Sequence, residues 1–221
     1  MMKKLELPPG FTKKSEIYIP KRYSVADWDF EYGATNRSLS AIQYISAPTA
    51  LRILEPTTAT FIDVILCRVP ETLCLPQGEV RNWQHGYYKN LHPIVFRNQA
   101  PLGSATFFNS YHIYLVQTTA VLYRHILGVV AERDRTTCET FTDTWTHYRA
   151  VFWNGYTPES IAALCVNLYR EVAGEWVQEG ETMHDTDNSW ADSEINRIGF
   201  AARSTYNHPQ YWDDTELWAP A

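Results

Sequence analysis

Glu139, Asp143 and His147 follow one another at four-residue intervals, and Asn154 lies seven residues further on. A carboxylate beside an imidazole fixes the ring tautomer and raises its basicity, which general-base catalysis and metal ligation both require. On a helix these residues would share one polar face, opposite a stripe of Phe141, Trp145, Tyr148 and Phe152. A second set, Asp192, Asn196, Gly199 and Arg203, also falls on one helical side. A glycine inside a helix costs about 1 kcal/mol relative to alanine, so Gly199 points to close approach by a neighbouring helix or a ligand. The plainer alternatives are a solvated face carrying a helix-stabilising pair, and simple close packing at Gly199 with Asp192 serving as a cap partner. The candidate catalytic residues are therefore His147, Asp192 and Asn196, and Asn154 and Arg203 are candidate substrate-binding residues.

No metal is assigned. Cys67, Cys74, Cys138 and Cys165 form no CxxC pair and have no histidine at zinc-finger spacing, so they read as free, mostly buried thiols. His184 with Asp185 and Asp187 offers nitrogen and oxygen ligands, but acidic loops are ordinarily just solvated. Phosphate-cradling, dinucleotide-binding, zinc-protease and nucleophile-elbow signatures are absent. His112 and His125 fall in an apolar run, where a hydrogen-bonded core histidine is commoner than a ligand.

Four helices are predicted to position these residues. The first covers Tyr111 to Glu132, apolar nearly all round but carrying Arg124, which favours a buried core helix over a membrane span. The second opens with Thr136 and Glu139 in capping-box spacing and ends at Asn154, before Gly155. The third has Thr157 as cap and Pro158 at its first position, then Ile161, Leu164, Leu168, Val172 and Trp176 down one face, stopping near Gly180. The fourth starts at Ser189 and buries Ile195, Ile198 and Ala202. Ahead of them, residues 1–108 are broken by proline every ten to twenty residues, leaving short elements such as a helix over Ser38–Ile45 and a strand or buried helix over Thr60–Val69. The expected fold is a single domain, mainly α: a C-terminal helical bundle with an aromatic tail over 109–221 and an irregular, Pro-rich N-terminal half. An α+β arrangement is the alternative.

Arg149-Ala-Val-Phe-Trp153-Asn154, followed by Asp192-Ser-Glu-Ile-Asn196-Arg-Ile-Gly199, resembles an uncharacterised bacterial helical domain, often attached to secreted or toxin-like proteins, with motifs close to RHAxWN and DLHNNxxG. The likeness covers about residues 140–205 and implies that Arg149 and Trp153 join Asn154 and Arg203 as candidate substrate-binding residues. Both motif histidines are replaced here, by Ala150 and Glu194. If they carry chemistry in that family, this chain has moved the role to His147 or lost it.

Composition narrows the classes further. The chain has 221 residues, 45% hydrophobic and 20% charged, which suits one globular core. Aromatic residues reach 14%, with Trp 8 and Tyr 14, and hint at a binding surface or an irregularly filled core. The net charge of −6 is concentrated in residues 171–221, where eleven Asp or Glu face two Arg. Such a surface disfavours nucleic acid. The resulting expectation is a hydrolase-type bacterial effector acting on a cell-wall, sugar or peptide-like substrate, with His147 or Asp192 as base. The rival class is a non-catalytic immunity or adaptor protein using an acidic, aromatic surface against a basic partner. Residues 1–14 have no apolar signal core, so a cytoplasmic location, or secretion without a cleaved signal, is expected.

Overall fold

In the computed structural model, Tyr148, Ala150 and Phe152 are buried in one hydrophobic cluster, whereas His147 and Trp153 are half-buried. Alternate residues on opposite sides define a strand, and the segment is one. The structure describes residues 77–86, 94–97, 99, 109–126, 129–141, 143–191 and 211–212 with their side chains, and the strand backbone of 11–15, 28–30, 37–40, 50–53, 63–67, 98, 197–202, 210 and 213–220. No helix occurs among them. In chain order the strands are β1 Phe11–Ser15, β2 Trp28–Phe30, β3 Arg37–Ser40, β4 Ala50–Ile53, β5 Asp63–Cys67, β6 Gly78–His85, β7 Ile94–Asn98, β8 Ser110–Val116, β9 Thr119–Ile126, β10 Val129–Thr137, β11 Thr146–Tyr156, β12 Ala162–Val172, β13 Glu175–Gln178, β14 Met183–Asp185, β15 Arg197–Ala202 and β16 Gln210–Pro220.

They form two antiparallel sheets. The larger runs β13-β12-β11-β6-β16-β4-β3, with β1 added on β16 and β14 on β12. The smaller runs β10-β9-β8-β7-β15-β5-β2. Phe96 of β7 stacks on Phe152 of β11 with ring centroids 4.5 Å apart, so the sheets meet face to face. Val80, Leu164, Val166 and Leu168 from the larger sheet close on Ile94, Tyr111, Ile113 and Leu122 from the smaller. Removing a side chain such as Phe152 from this layer would cost about 3–5 kcal/mol.

The helical bundle is therefore corrected to a β-sandwich, and each predicted helix has a specific fate. The first is the β8–β9 hairpin, turned by Gln117–Thr118 with Gln117 at φ 55°, followed by β10. In the second, the hydroxyl of Thr136 accepts from the Glu181 backbone N–H at 2.6 Å, and the Glu139 N–H donates to Glu179 at 2.8 Å. Both cap groups tie down a neighbouring loop instead of starting a helix. In the third, Thr157 and Pro158 open a five-residue hairpin loop in which the Thr157 N–H donates to the Ile161 carbonyl at 2.8 Å. Ala173 and Gly174, at φ 52° and 85°, then turn β12 into β13, a two-residue turn that matches strand twist. The last part of the fourth is β15, whose Gly199 pairs with Leu66 and Val95. Ser38–Ser40 lies in β3, and Asp63–Cys67 takes the strand alternative.

β14 closes one edge of the sandwich. Asp185 is buried there, accepting from the Tyr111 hydroxyl at 2.7 Å and from Arg133 Nε at 3.0 Å, with Arg124 at 3.5 Å. Burial and this bond push the Tyr111 phenol up to about 12. Asp187 pairs with Arg124 at 2.5 Å and with Arg133. Two guanidinium groups thus satisfy the carboxylates that a cation would need. Gly180, at φ 63°, sits so close to β10 that a Cβ there would lie 2.0 Å from Thr136 Oγ1. Gly180→Ala is expected to cost about 1–3 kcal/mol in denaturant unfolding, combining a left-handed backbone with a steric clash.

On the other side of the smaller sheet, His112 and His125 stack with centroids 3.8 Å apart, 0% and 1% exposed. Burial, and for His112 also the neighbouring imidazole, hold His112 well below its ordinary 6.5 and His125 at about 4. Both rings are thus neutral in the fold, while an unfolded chain would protonate them below pH 6.5. Stability is expected to be complete above that pH and to fall as pH drops towards about 4, each proton adding about 1.4 kcal/mol per pH unit to the slope. The check is urea unfolding across this range, where the His112→Gln/His125→Gln double variant should show a flatter profile.

Candidate functional site

Register dictates which outward side chains of the larger sheet become neighbours. Trp83 of β6 lies opposite His147 of β11, Tyr148 opposite Arg170 of β12 sets Glu171 one step beyond beside His147, and Glu171 pairs with Trp176 of β13. These four residues form one row across four strands. The Trp83 and His147 rings stack at 4.6 Å and 11°, and Trp176 approaches the imidazole from the other side at 4.7 Å. His147 Nδ1 lies 2.6 Å from Glu171 Oε2. A carboxylate only accepts, so Nδ1 carries the proton of this bond. Arg81 lies over Trp176, 5.6 Å from the ring centroid.

One row along, Tyr211 of β16 pairs with His85, which is flanked by Trp145; ring centroids are 5.5 and 5.3 Å from His85. Burial lowers the His85 pKa, partly offset by Asp143, whose backbone N–H donates to the Gly86 carbonyl at 2.9 Å. On the opposite flank, Arg149 pairs with Glu79 at 2.7 Å and lies over Tyr169 at 4.8 Å. Glu79, 0% exposed, also accepts from Arg81. Trp83, Trp145, Trp176 and Tyr211 are all half-buried, and so are His147 and Glu171. The arrangement is a platform of aromatic faces bordered by fixed carboxylate, guanidinium and imidazole groups.

Of the predicted site residues, His147 belongs to this platform, and Arg149 and Trp153 share its face. Asn154 does not: period two turns it to the opposite side, where Arg97 Nη2 donates to its side-chain oxygen at 2.6 Å. Asp192, Asn196 and Arg203 lie outside the described residues. Glu139, expected beside His147, instead pairs with Arg170. Sequence reasoning missed Trp83, Glu171 and Tyr211 and placed Trp176 on a core stripe. Only the alternation of β11 could have pointed to them. Cys138 and Cys165 are free and buried, as expected.

The class defined so far is a two-sheet antiparallel β-sandwich with an aromatic outer face. No protein-family model matches the chain, and no curated protein does. Among solved structures, the carbohydrate-binding module CBM66 from Bacillus subtilis superimposes with TM-score 0.50 at 7% identity, covering 86% of this chain and 95% of that one. A protein of unknown function from Shewanella oneidensis gives TM-score 0.50 at 15% identity, over 96% of this chain and 86% of that one. A GH43 glycoside hydrolase engineered to display both endo-xylanase and exo-arabinofuranosidase activity gives 0.52 at 11%, covering 98% of this chain and 42% of the enzyme, so this chain spans less than half of it. These likenesses concern the fold. They overturn the resemblance to a helical bacterial domain, because the residues that carried its first motif, Arg149 to Asn154, sit in β11.

Arg149, only 2% exposed, is anchored within the protein by its pair with Glu79. Arg149→Met should destabilise by about 3 kcal/mol in denaturant unfolding, because it strips Glu79 of a buried countercharge. Adding Glu79→Gln should recover most of the loss.

Proposed function

We propose that the outer face of the larger sheet is a saccharide-binding platform and that the protein is a carbohydrate-recognition β-sandwich. The observation that carries this reading is the row Trp83, His147, Glu171 and Trp176. Sugar rings present apolar C–H faces that lie on aromatic rings, and equatorial hydroxyls that seek planar, charged hydrogen-bonding groups at the ring edge. Stacked, half-buried rings beside Glu171 and Arg81 offer both at once. The rings are fixed before any ligand arrives, so little side-chain entropy is lost on binding. The CBM66 and GH43 neighbours, a carbohydrate-binding module and a glycoside hydrolase, are consistent with this class and suggest xylan as the first polymer to try.

A hydrolytic role is the second reading, favoured by the 2.6 Å His147–Glu171 pair, which suits proton transfer. Asp192 as the base remains part of that proposal, as does a cell-wall or peptide-like substrate.

Affinity electrophoresis in gels containing xylan, xyloglucan or mixed-linkage β-glucan separates the outcomes. Wild type should be retarded by at least one polymer, and Trp83→Ala and Trp176→Ala should each weaken retention about tenfold or more while circular dichroism stays unchanged. Absence of retardation, or full retention by both variants, would reject the platform. Release of reducing ends that is lost in His147→Ala would establish hydrolysis in place of simple binding.

A further inference from the structure

Trp176 does not end the accessible face. Two residues along β13, on the same side, Gln178 is exposed and lines an open concavity of about 540 Å³ beside β14, together with Tyr156, Thr157, Glu181, Thr182 and His184. We propose that the saccharide platform continues along β13 into this concavity, so that the protein holds an internal stretch of a linear polysaccharide and not a single sugar ring. The proposal rests on the platform reading above and extends it to a second contact region and a class of ligand.

Three observations support it. First, the concavity has the polar chemistry of the platform: hydroxyl, amide and imidazole groups of Thr157, Thr182, Gln178 and His184 line it. Its volume lies within the range of ordinary small-ligand sites. Secondly, its walls are held in place. The loop after Tyr156 is closed by hydrogen bonds of 2.8 and 2.9 Å between Thr157 and residues Ile161 and Ser160, and the opposite wall is pinned where Glu181 donates to Thr136. Thirdly, the two regions meet at the sheet edge, where the exposed Gln178 of β13 pairs with Tyr169 of β12. Outward residues of β12 run from Glu171 through Tyr169 and Asn167 to Cys165, which pairs with His184 of β14. Glu171, Tyr169 and Asn167 are half-buried, and the Asn167 amide donates to the Tyr169 hydroxyl at 3.1 Å. Six residues of strand separate Glu171 from Cys165, roughly 20 Å. One sugar ring cannot span that interval, whereas a linear chain lying along the strand can.

The test is isothermal titration with two-ring and six-ring fragments of the polysaccharide that retards the protein most, xylobiose and xylohexaose in the first instance. The longer fragment should bind about tenfold or more tightly, and Gln178→Ala/His184→Ala should abolish that gain while leaving the affinity for the shorter one unchanged. Trp176→Ala should weaken both. Equal affinity for the two lengths, or an undiminished length effect in the Gln178/His184 variant while Trp176→Ala still weakens both, overturns the extension and leaves the platform standing. No binding to any panel polysaccharide, or no effect of Trp176→Ala, overturns the platform and the extension with it.

Discussion

The alternation of β11 is the constraint on which the rest depends. Its even positions, Tyr148, Ala150 and Phe152, pack across the sandwich onto residues such as Phe96, and its odd positions, His147, Arg149 and Trp153, therefore stand on the other side. A slip of one residue would exchange the two sets, burying an imidazole and a guanidinium in the core and exposing a phenylalanine. Burial thus fixes the register, and the register fixes the row. Because β6 and β12 pair with β11 on either side, the position of Phe152 determines that Trp83 and Glu171 both meet His147.

Charge on this outer face is settled by the same geometry. Glu79 is fully buried between Arg81 and Arg149, and an uncompensated carboxylate there would be far costlier than the pair. Arg81 consequently serves twice, bonding Glu79 and covering the Trp176 ring. His147 is likewise held by Glu171 on its edge and by indoles near its faces. The groups that would meet a ligand are therefore positioned by contacts that exist without one, and the platform needs little reorganisation to act.

The sequence revealed a globular domain and an aromatic surplus and singled out His147, but it did not reveal the secondary structure. The reason lies in the number four. Residues four apart share a face in a helix, and they also share a face in a strand because four is even. Leu164 and Leu168 fit both, as do Glu139, Asp143 and His147. The deciding positions were Val166, between the two leucines, and Ala150, between Tyr148 and Phe152, where a helix would have turned away. Strand alternation was itself camouflaged: β6 faces the core with Asn82 and Gln84, which are polar, and β12 carries Cys165 outward. The cap signals misled for a related reason. Thr157 and Thr136 do accept backbone N–H groups, but turns and loop anchors need such acceptors as much as helix starts do.

The acidic C-terminal quarter illustrates how far charge counting can depart from a surface. Glu171 is engaged by His147, Glu179 by Arg170, and Asp185 and Asp187 by Arg124 and Arg133. Four of the eleven carboxylates counted there are thus answered inside the fold, so the acid excess does not translate into an equally strong field at the sheet's outer face. A partner attracted chiefly by long-range charge would find little to steer it to Trp83 and Trp176. What the platform does present at short range is ring faces and directional hydrogen-bonding groups. Such interactions act at contact distance and depend little on ionic strength. Ion pairing of this kind makes the net charge of a segment a poor measure of the field at any one face.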